Sequence, residues 1–205
     1  MREIVIPEGN EEEFLKIGEK LGCKKMVFCY KIKDAKQLEE IEDRLKTLKG
    51  KTKINLEIGL LAGKKDIFEL KKLKKMTLVR SDREDDRWMI EKAMPSMIYG
   101  LELEKSKDSI HQRNSGLNEV YCKIMRENEV AYGINYSEML GLKSSAFAIV
   151  KGRIMQNIKM ARKYKIKAKI ASFATNPYNL RSEHDIEAFF ITLGMHAKEA
   201  KDALM

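Results

Sequence analysis

The chain has 205 residues, a net charge of +9 and a pI of about 9.3, and 43% of its residues are hydrophobic. This hydrophobic content is enough for a core and excludes wholesale disorder. No apolar run approaches the ~18 residues of a membrane span, and the start of the chain turns acidic too early for a secretory signal. The basic balance favours a polyanionic partner.

Strand-like and helix-like segments alternate along the chain without a long linker. Short apolar runs predict strands at residues 4–6, 26–30, 54–58, 76–79, 97–101, 130–135 and 169–173. Helical spacing of apolar residues predicts helices that begin after Asn10 and after Asp34, and at residues 66–73, 85–94, 117–128, 146–164, 183–193 and 196–204.

The alternation of strands and helices predicts a parallel sheet covered by helices. Seven or eight such units in a chain of this length favour an α/β, TIM-barrel-like (β/α) barrel over a doubly wound sheet. Because no eighth strand is evident, the predicted barrel is distorted or incomplete, and a flavodoxin-like layout is the alternative. With three prolines and no low-complexity segment, residues 1–205 are predicted to form a single domain.

The positive charge is concentrated in one window. No carboxylate occurs between Glu138 and Glu183, and this window holds ten cationic side chains. They are Lys143, Lys151, Arg153, Lys159, Arg162, Lys163, Lys165, Lys167, Lys169 and Arg181. A phosphate backbone would neutralise such a block, which indicates nucleic acid; a solvated, lysine-rich face is the alternative interpretation.

Cysteine and histidine are both rare. The cysteines are Cys23, Cys29 and Cys122, and the histidines are His111, His184 and His196. An odd number of cysteines without a CxxC spacing predicts buried, inert thiols and a reducing, cytoplasmic location. The absence of a paired histidine motif predicts that this chain binds no metal and no other cofactor.

Residues 59–65, Gly-Leu-Leu-Ala-Gly-Lys-Lys, imitate a phosphate-binding loop. The two glycines are one residue too close together, and no Ser or Thr follows the lysine to bind magnesium. The segment follows a predicted strand, so an ordinary turn or a basic loop at a strand end is the better prediction.

Three arginines follow the fourth predicted strand. Arg80, Arg83 and Arg87 lie within eight positions, and the loops at the carboxyl ends of barrel strands form the functional face. Because arginine binds phosphate in a bidentate manner, these residues are a candidate phosphate clamp. Ion pairing with the acidic residues at positions 82–86 is the alternative.

The densest set of polar side chains lies in residues 107–118. His111, Arg113 and Asn114 can donate hydrogen bonds to phosphates, bases or 2′-hydroxyls. In the alternative interpretation, Asn114 or Ser115 caps the following helix. His111 has no neighbouring nucleophile in the sequence, so a catalytic role is not predicted for it.

The predicted helix 146–164 has an apolar stripe with a basic arc beside it. Its cations Lys151, Lys159, Arg162 and Lys163 lie on that arc at ~100° per residue. The stripe is expected to face the core, which leaves the basic arc exposed to solvent or to phosphate.

The segments that carry a resemblance to a known family are Val79-Arg80-Ser81-Asp82, residues 111–118, residues 171–174 with residues 177–186, Leu193-Gly194-Met195 and Glu199-Ala200-Lys201. With these segments the chain resembles the family of archaeal ribonuclease P protein component 3 and its counterpart in the eukaryotic nuclear enzyme. The segments follow one another in order over essentially the whole chain. The Asn-Ser-Gly-Leu-Asn loop and the Leu-Arg-Ser-x-x-Asp stretch are the most specific parts.

The resemblance implies a barrel-like subunit of a ribonucleoprotein endonuclease that removes the 5′ leader from precursor tRNA. It implies that the RNA subunit carries out the hydrolysis with Mg2+, and that this chain braces the RNA together with protein component 2 and other subunits. The RNA-facing positions that it implies are Arg80, Arg83, Arg87, His111, Arg113 and Arg181. Asn114, Lys151, Lys159 and Arg162 complete the set of predicted RNA-binding residues.

The family is similar in fold to metal-dependent phosphoesterases that place paired histidines at the first strand. Here no histidine precedes position 111, so neither a metal site nor a catalytic residue is predicted in this chain. A barrel enzyme that acts on a small phosphorylated metabolite is the alternative function, supported by the basic strand-end loops at Lys64 and Arg80. A general RNA-binding or assembly protein outside tRNA processing is a third class.

Overall fold

The computed structural model describes residues 1–103, 108, 110–111 and 113–204. It contains one sheet of seven strands in sequence order, with every neighbouring pair parallel. The strands are β1 (Arg2–Val5), β2 (Lys25–Tyr30), β3 (Asn55–Leu61), β4 (Met76–Arg80), β5 (Met97–Tyr99), β6 (Ala131–Asn135) and β7 (Ala168–Ala171). The predicted TIM-barrel-like fold is confirmed, and the sequential strand order excludes the flavodoxin-like alternative, which has the order 2-1-3-4-5.

The sheet nearly closes between β1 and the chain that follows β7. Phe173 donates its N–H to the carbonyl of Ile4 at 2.8 Å, and Ile6 donates to the carbonyl of Ala174 at 2.9 Å. Val5 and Ala174 form an isolated parallel bridge. These contacts make a barrel of the seven described strands.

A buried carboxylate spans this seam. Glu3 Oε1 accepts the N–H of Ser172 at 2.6 Å, and Glu3 Oε2 accepts the hydroxyl of Tyr136 at 2.7 Å. Burial, the largest influence, raises the pKa of Glu3, although the hydrogen bonds from Ser172 and Tyr136 oppose that shift. Glu3 therefore ties the first strand to the last one.

Helices follow the strands on the outside of the barrel. They are α1 (Glu11–Lys20), α2 (Ala35–Lys49), α3 (Ile67–Lys72), α4 (Asp86–Trp88), α5 (Glu119–Glu127), α6 (Tyr136–Leu140), α7 (Ser144–Tyr164), α8 (Glu183–Thr192) and α9 (Ala197–Ala203). A π-helical turn, Met89–Ala93, continues α4, and two 3-10 turns lie at Leu101–Leu103 and Pro177–Asn179. Among the described residues, no helix could span a membrane.

Two local features differ from the sequence prediction. The short helix α6 was not predicted, because Tyr136–Leu140 has only five residues, which are too few to show a helical period. The predicted helix 85–94 is an α-helical turn followed by a π-helical turn, which ends where Met94 adopts a left-handed φ of 48° before Pro95.

The barrel interior is filled by side chains that point inward from the strands. Ile4, Val27, Cys29, Leu78, Met97, Tyr99, Ala131, Ala171 and Phe173 form this cluster. Two glycines make room for it: a Cβ at Gly59 would lie 2.7 Å from Cys29 Sγ, and a Cβ at Gly133 would lie 2.6 Å from Met97 Sδ. The interior is therefore a packed core, as expected for a barrel of this class.

The three cysteines are buried and free, as predicted. Burial raises the pKa of Cys23 and of Cys122 to about 11. These thiols are therefore protonated near neutral pH and poor nucleophiles.

Candidate nucleic-acid interface

The predicted polar loop follows β5 and leads into α5 at the carboxyl end of the strands. Its turn depends on Gly116, which has a φ of +87°. A Cβ added there would lie 2.6 Å from the carbonyl oxygen of Leu101. Only glycine meets both requirements, because other residues rarely adopt this φ and their side chain would collide with the backbone.

The N-cap of α5 differs from the alternative sequence prediction, in which Asn114 or Ser115 caps this helix. In the structure Asn118 is the N-cap, and its Oδ1 accepts the N–H of Tyr121 at 2.8 Å. This leaves Asn114 and Ser115 for contacts within the loop.

Arg83 holds the loop from the side of β4. Its Nη1 donates to Asn114 Oδ1 at 3.1 Å, and its Nη2 donates to the carbonyls of Asn114 and Leu101, both at 2.9 Å. Arg83 itself has a left-handed φ of 70°. The guanidinium therefore joins the β4 loop to the 111–118 loop.

A buried arginine of α7 holds the loop from the other side. Arg153 has only 1% of its side chain exposed and donates from Nε and Nη2 to Asp108 Oδ1 at 2.8 and 2.7 Å. The same carboxylate oxygen accepts the N–H of Asn114 at 2.9 Å. Burial works to raise the pKa of Asp108, but the bonds from Asn114 and Arg153 outweigh it and hold the pKa below its usual value.

A chain of buried polar groups continues beneath the loop. Asn157 Nδ2 donates to the carbonyl of Ser115 at 2.8 Å and to the hydroxyl of Tyr132 at 3.0 Å. The Tyr132 hydroxyl in turn donates to Glu102 Oε2 at 2.8 Å. Burial raises the pKa of Glu102 to about 7, against the opposing effect of its hydrogen bonds.

Beside this network, polar and basic side chains are exposed to solvent. His111 and Arg113 are exposed, and so is Lys151 on the neighbouring helix α7. The Arg113 guanidinium lies over Gly152: a Cβ at Gly152 would stand 3.2 Å from Arg113 Nε. The structure thus places Arg113 beside Lys151, which the sequence separates by many residues.

The three arginines of the candidate phosphate clamp contact different partners. Arg80 is 58% exposed at the end of β4 and pairs with Glu138 at 2.6 Å, and Arg87 is 67% exposed and pairs with Glu91 at 3.4 Å. Arg83 turns toward the loop instead. The carboxylates that pair with Arg80 and Arg87 lie outside positions 82–86, so the predicted ion-pair partners were wrong for these two arginines.

Arg181 follows β7 on the same face of the barrel. Its side chain is exposed, and Nη1 donates to the carbonyls of Tyr178 and Leu180 at 2.9 and 2.8 Å. Its backbone N–H donates to the hydroxyl of Tyr136 at 3.3 Å. These bonds fix the direction of the guanidinium and leave it accessible.

Lys159 and Arg162 lie toward the opposite end of α7. Arg162 is ~16 Å further along the helix axis than Lys151 at 1.5 Å per residue. Arg162 donates to both carboxylate oxygens of Glu199 at 2.6 Å and to the carbonyl of Gly194 at 2.6 Å. Lys159 is exposed. The ten predicted residues therefore do not form one compact cluster.

The basic window also needs one correction. The sequence analysis treated its ten cations as a single surface, but Arg153 is buried and bound to Asp108. Lys169 is partly buried, and desolvation lowers its pKa. Arg153 therefore does not contribute to the exposed positive surface, although a count of charges includes it.

The loop that imitates a phosphate-binding loop is closed on itself. The N–H of Gly63 donates to Asp66 Oδ1 at 2.7 Å, and Lys64 pairs with Asp85. A carboxylate therefore occupies the amide that a phosphate would use. This geometry agrees with the prediction of an ordinary basic turn.

The sequence analysis missed the residues that support the loop. Glu102, Tyr132, Arg153 and Asn157 were not singled out. A signal was present, because Arg153 and Asn157 are four residues apart and fall on the same face as the buried Val150, Ile154 and Ile158. Polar residues within an apolar stripe indicate buried hydrogen bonds.

Comparison with known proteins connects this loop to one family. Residues 106–205 match the family described as RNase P subunit p30. Ribonuclease P protein component 3 of Methanosarcina mazei is 36% identical over 92 residues, and that of Methanocaldococcus jannaschii is 25% identical over 88 residues. The two alignments cover 45% and 43% of this chain and 38% of each relative. The resemblance found in the sequence is confirmed over this second half of the chain.

The fold comparison extends over the whole chain. A chain in the cryo-EM structure of archaeal ribonuclease P with mature tRNA superposes with a TM-score of 0.80 at 19% identity. This match covers 99% of the present chain and 86% of that chain. A crystal structure of an uncharacterized protein matches with a TM-score of 0.56 at 9% identity. At these identities the similarity shows a shared fold.

Proposed function

We propose that this chain is a protein subunit of a ribonuclease P ribonucleoprotein, because residues 106–205 match the family described as RNase P subunit p30. It binds and braces the catalytic RNA for endonucleolytic removal of the 5′ leader from precursor tRNA. The hydrolysis takes place in the RNA subunit with Mg2+. The described residues bring together no group of three or more His, Cys, Asp or Glu side chains that could hold a metal ion, so the proposal assigns this chain no metal.

The observation that carries the proposal is the family match, which includes the loop held by Arg83 and Arg153. This network of hydrogen bonds supports the loop. It fixes the backbone of residues 113–118, and exposed His111 and Arg113 stand at its edge. A preorganised loop loses less conformational entropy when its side chains bind a ligand.

The exposed cations of this face are the proposed RNA contacts. Arg113, Lys151 and Arg181 are accessible and can contact phosphates or base edges. Arg80, Arg87 and His111 are exposed around them and extend the same surface. Arg83 and Asn114 contribute by holding the loop, and RNA reaches them at the edge of that loop.

Lys159 and Arg162 form a second proposed contact at the other end of α7. Both are exposed on the basic arc of the helix. Arg162 keeps its pair with Glu199, so its contribution to RNA binding is expected to be smaller than that of Arg113.

The proposed partners are the ribonuclease P RNA, protein component 2, other protein subunits and, in the assembled enzyme, precursor tRNA. The buried, free cysteines favour a reducing, cytoplasmic location. Residues 1–205 are proposed to act as one domain. The alternative of a metabolite-binding barrel enzyme is less well supported, because its strand-end loop is closed by Asp66 and the family match favours the ribonucleoprotein.

The proposal is tested by reconstitution. The RNA and the partner subunits are assembled with and without this chain, and cleavage of the leader is measured at low Mg2+. We expect cleavage to fall when the chain is omitted, since bracing of the RNA matters most when Mg2+ is scarce. Equal cleavage in the two assemblies would contradict the proposal.

A further inference from the structure

Two aromatic rings form a partly exposed pair on the outside of the barrel. Phe68 of α3 and Trp88 of α4 have ring centroids 5.7 Å apart and ring planes at 83°. Phe68 keeps 50% of its surface exposed. Trp88 is partly buried and packs against the small core cluster of Ile67, Val79, Met89 and Ala93. The Phe68 ring stands beyond that cluster, so its outer surface is accessible.

Lysines are frequent in the segment that carries Phe68, and one of them reaches the Trp88 ring. Lys64 Nζ lies 5.5 Å from the centroid of the Trp88 ring. Residues 64–75 contain six lysines and two carboxylates. Lys65 and Lys71 are exposed, and Lys71 donates to the carbonyls of Ala93 and Met94 at 2.7 and 3.1 Å. Lys64 pairs with Asp85 and Lys72 with Glu69, so the exposed aromatic surface lies in a lysine-rich segment whose charge is partly paired.

We propose that the Phe68–Trp88 pair binds an unpaired base of RNA, while the lysines of the α3 segment hold the flanking phosphates. The inference rests on the proposed function, since it takes RNA as the ligand. It adds a contact in the first half of the chain, outside residues 106–205. It also uses none of the residues already proposed to contact RNA.

The chemistry of the patch favours this ligand over the two obvious alternatives. Every base has a π-face that can stack on an aromatic ring, and nearby cations neutralise the adjacent phosphates. A duplex conceals its base faces and would leave the rings without a partner. The centre of a protein–protein interface is depleted in lysine, whereas here Lys64 lies against the Trp88 ring and the segment that carries Phe68 is rich in lysine.

Trp88 provides a direct probe, because it is the only tryptophan in the chain. The full chain is titrated with a single-stranded oligouridylate of ~10 nucleotides, the upper part of the usual site size, and with an RNA duplex of the same length. We expect saturable quenching of Trp88 emission by the single strand and much weaker quenching by the duplex. Phe68→Ala is expected to weaken single-strand binding at least about fivefold.

Two further variants separate stacking from other effects. Phe68→Leu keeps an apolar side chain but lacks a ring, so it is also expected to weaken binding. Ile191→Ala removes an exposed apolar side chain on α8, with 41% exposure, and is expected to bind as the parent does. Thermal unfolding of each variant verifies that the fold is retained.

Absence of quenching, equal affinity of the Phe68 variants and the parent, or equal quenching by the duplex would each overturn the inference. Quenching by a partner protein subunit but not by the oligouridylate would overturn it in favour of a protein contact. The proposed function is judged separately by the omission experiment. If cleavage depends on this chain while Trp88 does not respond to single-stranded RNA, only the further inference fails.

Discussion

The middle and the C-terminal end of α7 each place an arginine on a carboxylate, in similar geometry but in different surroundings. Arg153 has 1% of its side chain exposed and binds Asp108, whose side chain is 25% exposed. Arg162 and its partner Glu199 are 36% and 35% exposed. Both pairs fall within hydrogen-bonding distance, so burial and not contact geometry distinguishes them. A buried arginine supports the fold, whereas an exposed one remains available to a polyanion.

Removal of the buried arginine is expected to have the largest effect on stability. Arg153→Ala leaves the Asp108 carboxylate and the Glu102 carbonyl without that donor. We expect the free energy of unfolding to fall by about 3 kcal/mol, measured by urea denaturation. Arg153→Lys should recover only part of this loss, because lysine lacks the planar fork. A loss as small as that of an exposed pair would show that the network does not hold the loop.

The second prediction concerns the pH dependence of stability. Burial raises the pKa of Glu102 from 4.5 to about 7, so between these values the unfolded chain releases a proton that the folded chain retains. Stability should therefore decrease as pH rises from about 4.5 to about 7, by about 3 kcal/mol from this group. Glu102→Gln should remove that decrease from the curve of unfolding free energy against pH.

An exposed carboxylate supplies the control for this pH experiment. Glu8→Gln lies at an exposed position and is expected to leave the slope unchanged. The hydrogen bond from Arg162, the largest influence, lowers the pKa of Glu199 to about 2. The pH dependence of this pair is therefore opposite to that of Glu102, because its stabilisation is lost as pH falls. Its exposure makes the effect small. A Glu102→Gln curve parallel to that of the parent would contradict the prediction.

The third prediction uses two glycines with nearly the same φ. Gly116 and Gly9 have φ values of +87° and +88°, but only Gly116 would place a Cβ against backbone, at 2.6 Å from Leu101 O. Gly116→Ala should reduce stability by about 2 kcal/mol or more, and Gly9→Ala by about 1 kcal/mol. Thermal unfolding compares the two variants. Equal losses would mean that the Leu101 contact has no energetic weight.

The smallest expected change in stability is at the exposed end of α7. Arg162→Ala should reduce the unfolding free energy by less than about 1 kcal/mol, since an exposed pair is screened by solvent. Urea denaturation, performed beside Arg153→Ala, gives the ratio of the two effects. A loss of unfolding free energy at Arg162 as large as that at Arg153 would show that burial does not distinguish the two pairs.

Much of the fold could be predicted from the sequence because strands and helices alternate with clear apolar periods. The apolar run at residues 26–30 predicts a strand, and the apolar stripe at Val150, Ile154 and Ile158 predicts a helix. The structure confirms both predictions. Helix α6 could not be found in this way, since its five residues are too few to show a period.

The candidate interface was predictable in part. Arg113 and Lys151 were chosen for their charge, and the structure confirms that they are exposed. The buried role of Arg153 was not predicted, because counting charges assumes that every cation faces solvent. Nor could the sequence choose Asn118 as the cap of α5, since the choice depends on the left-handed turn at Gly116.

The exposed cations beside the buried network are the proposed RNA contacts. The most direct test measures the affinity of the chain for ribonuclease P RNA as a function of salt, for the parent and for Arg113→Ala. If Arg113 contacts a phosphate, the variant should bind more weakly at every salt concentration, and the slope of log affinity against log salt should decrease in magnitude by about 1. An unchanged affinity and slope in a folded Arg113→Ala variant would contradict the claim.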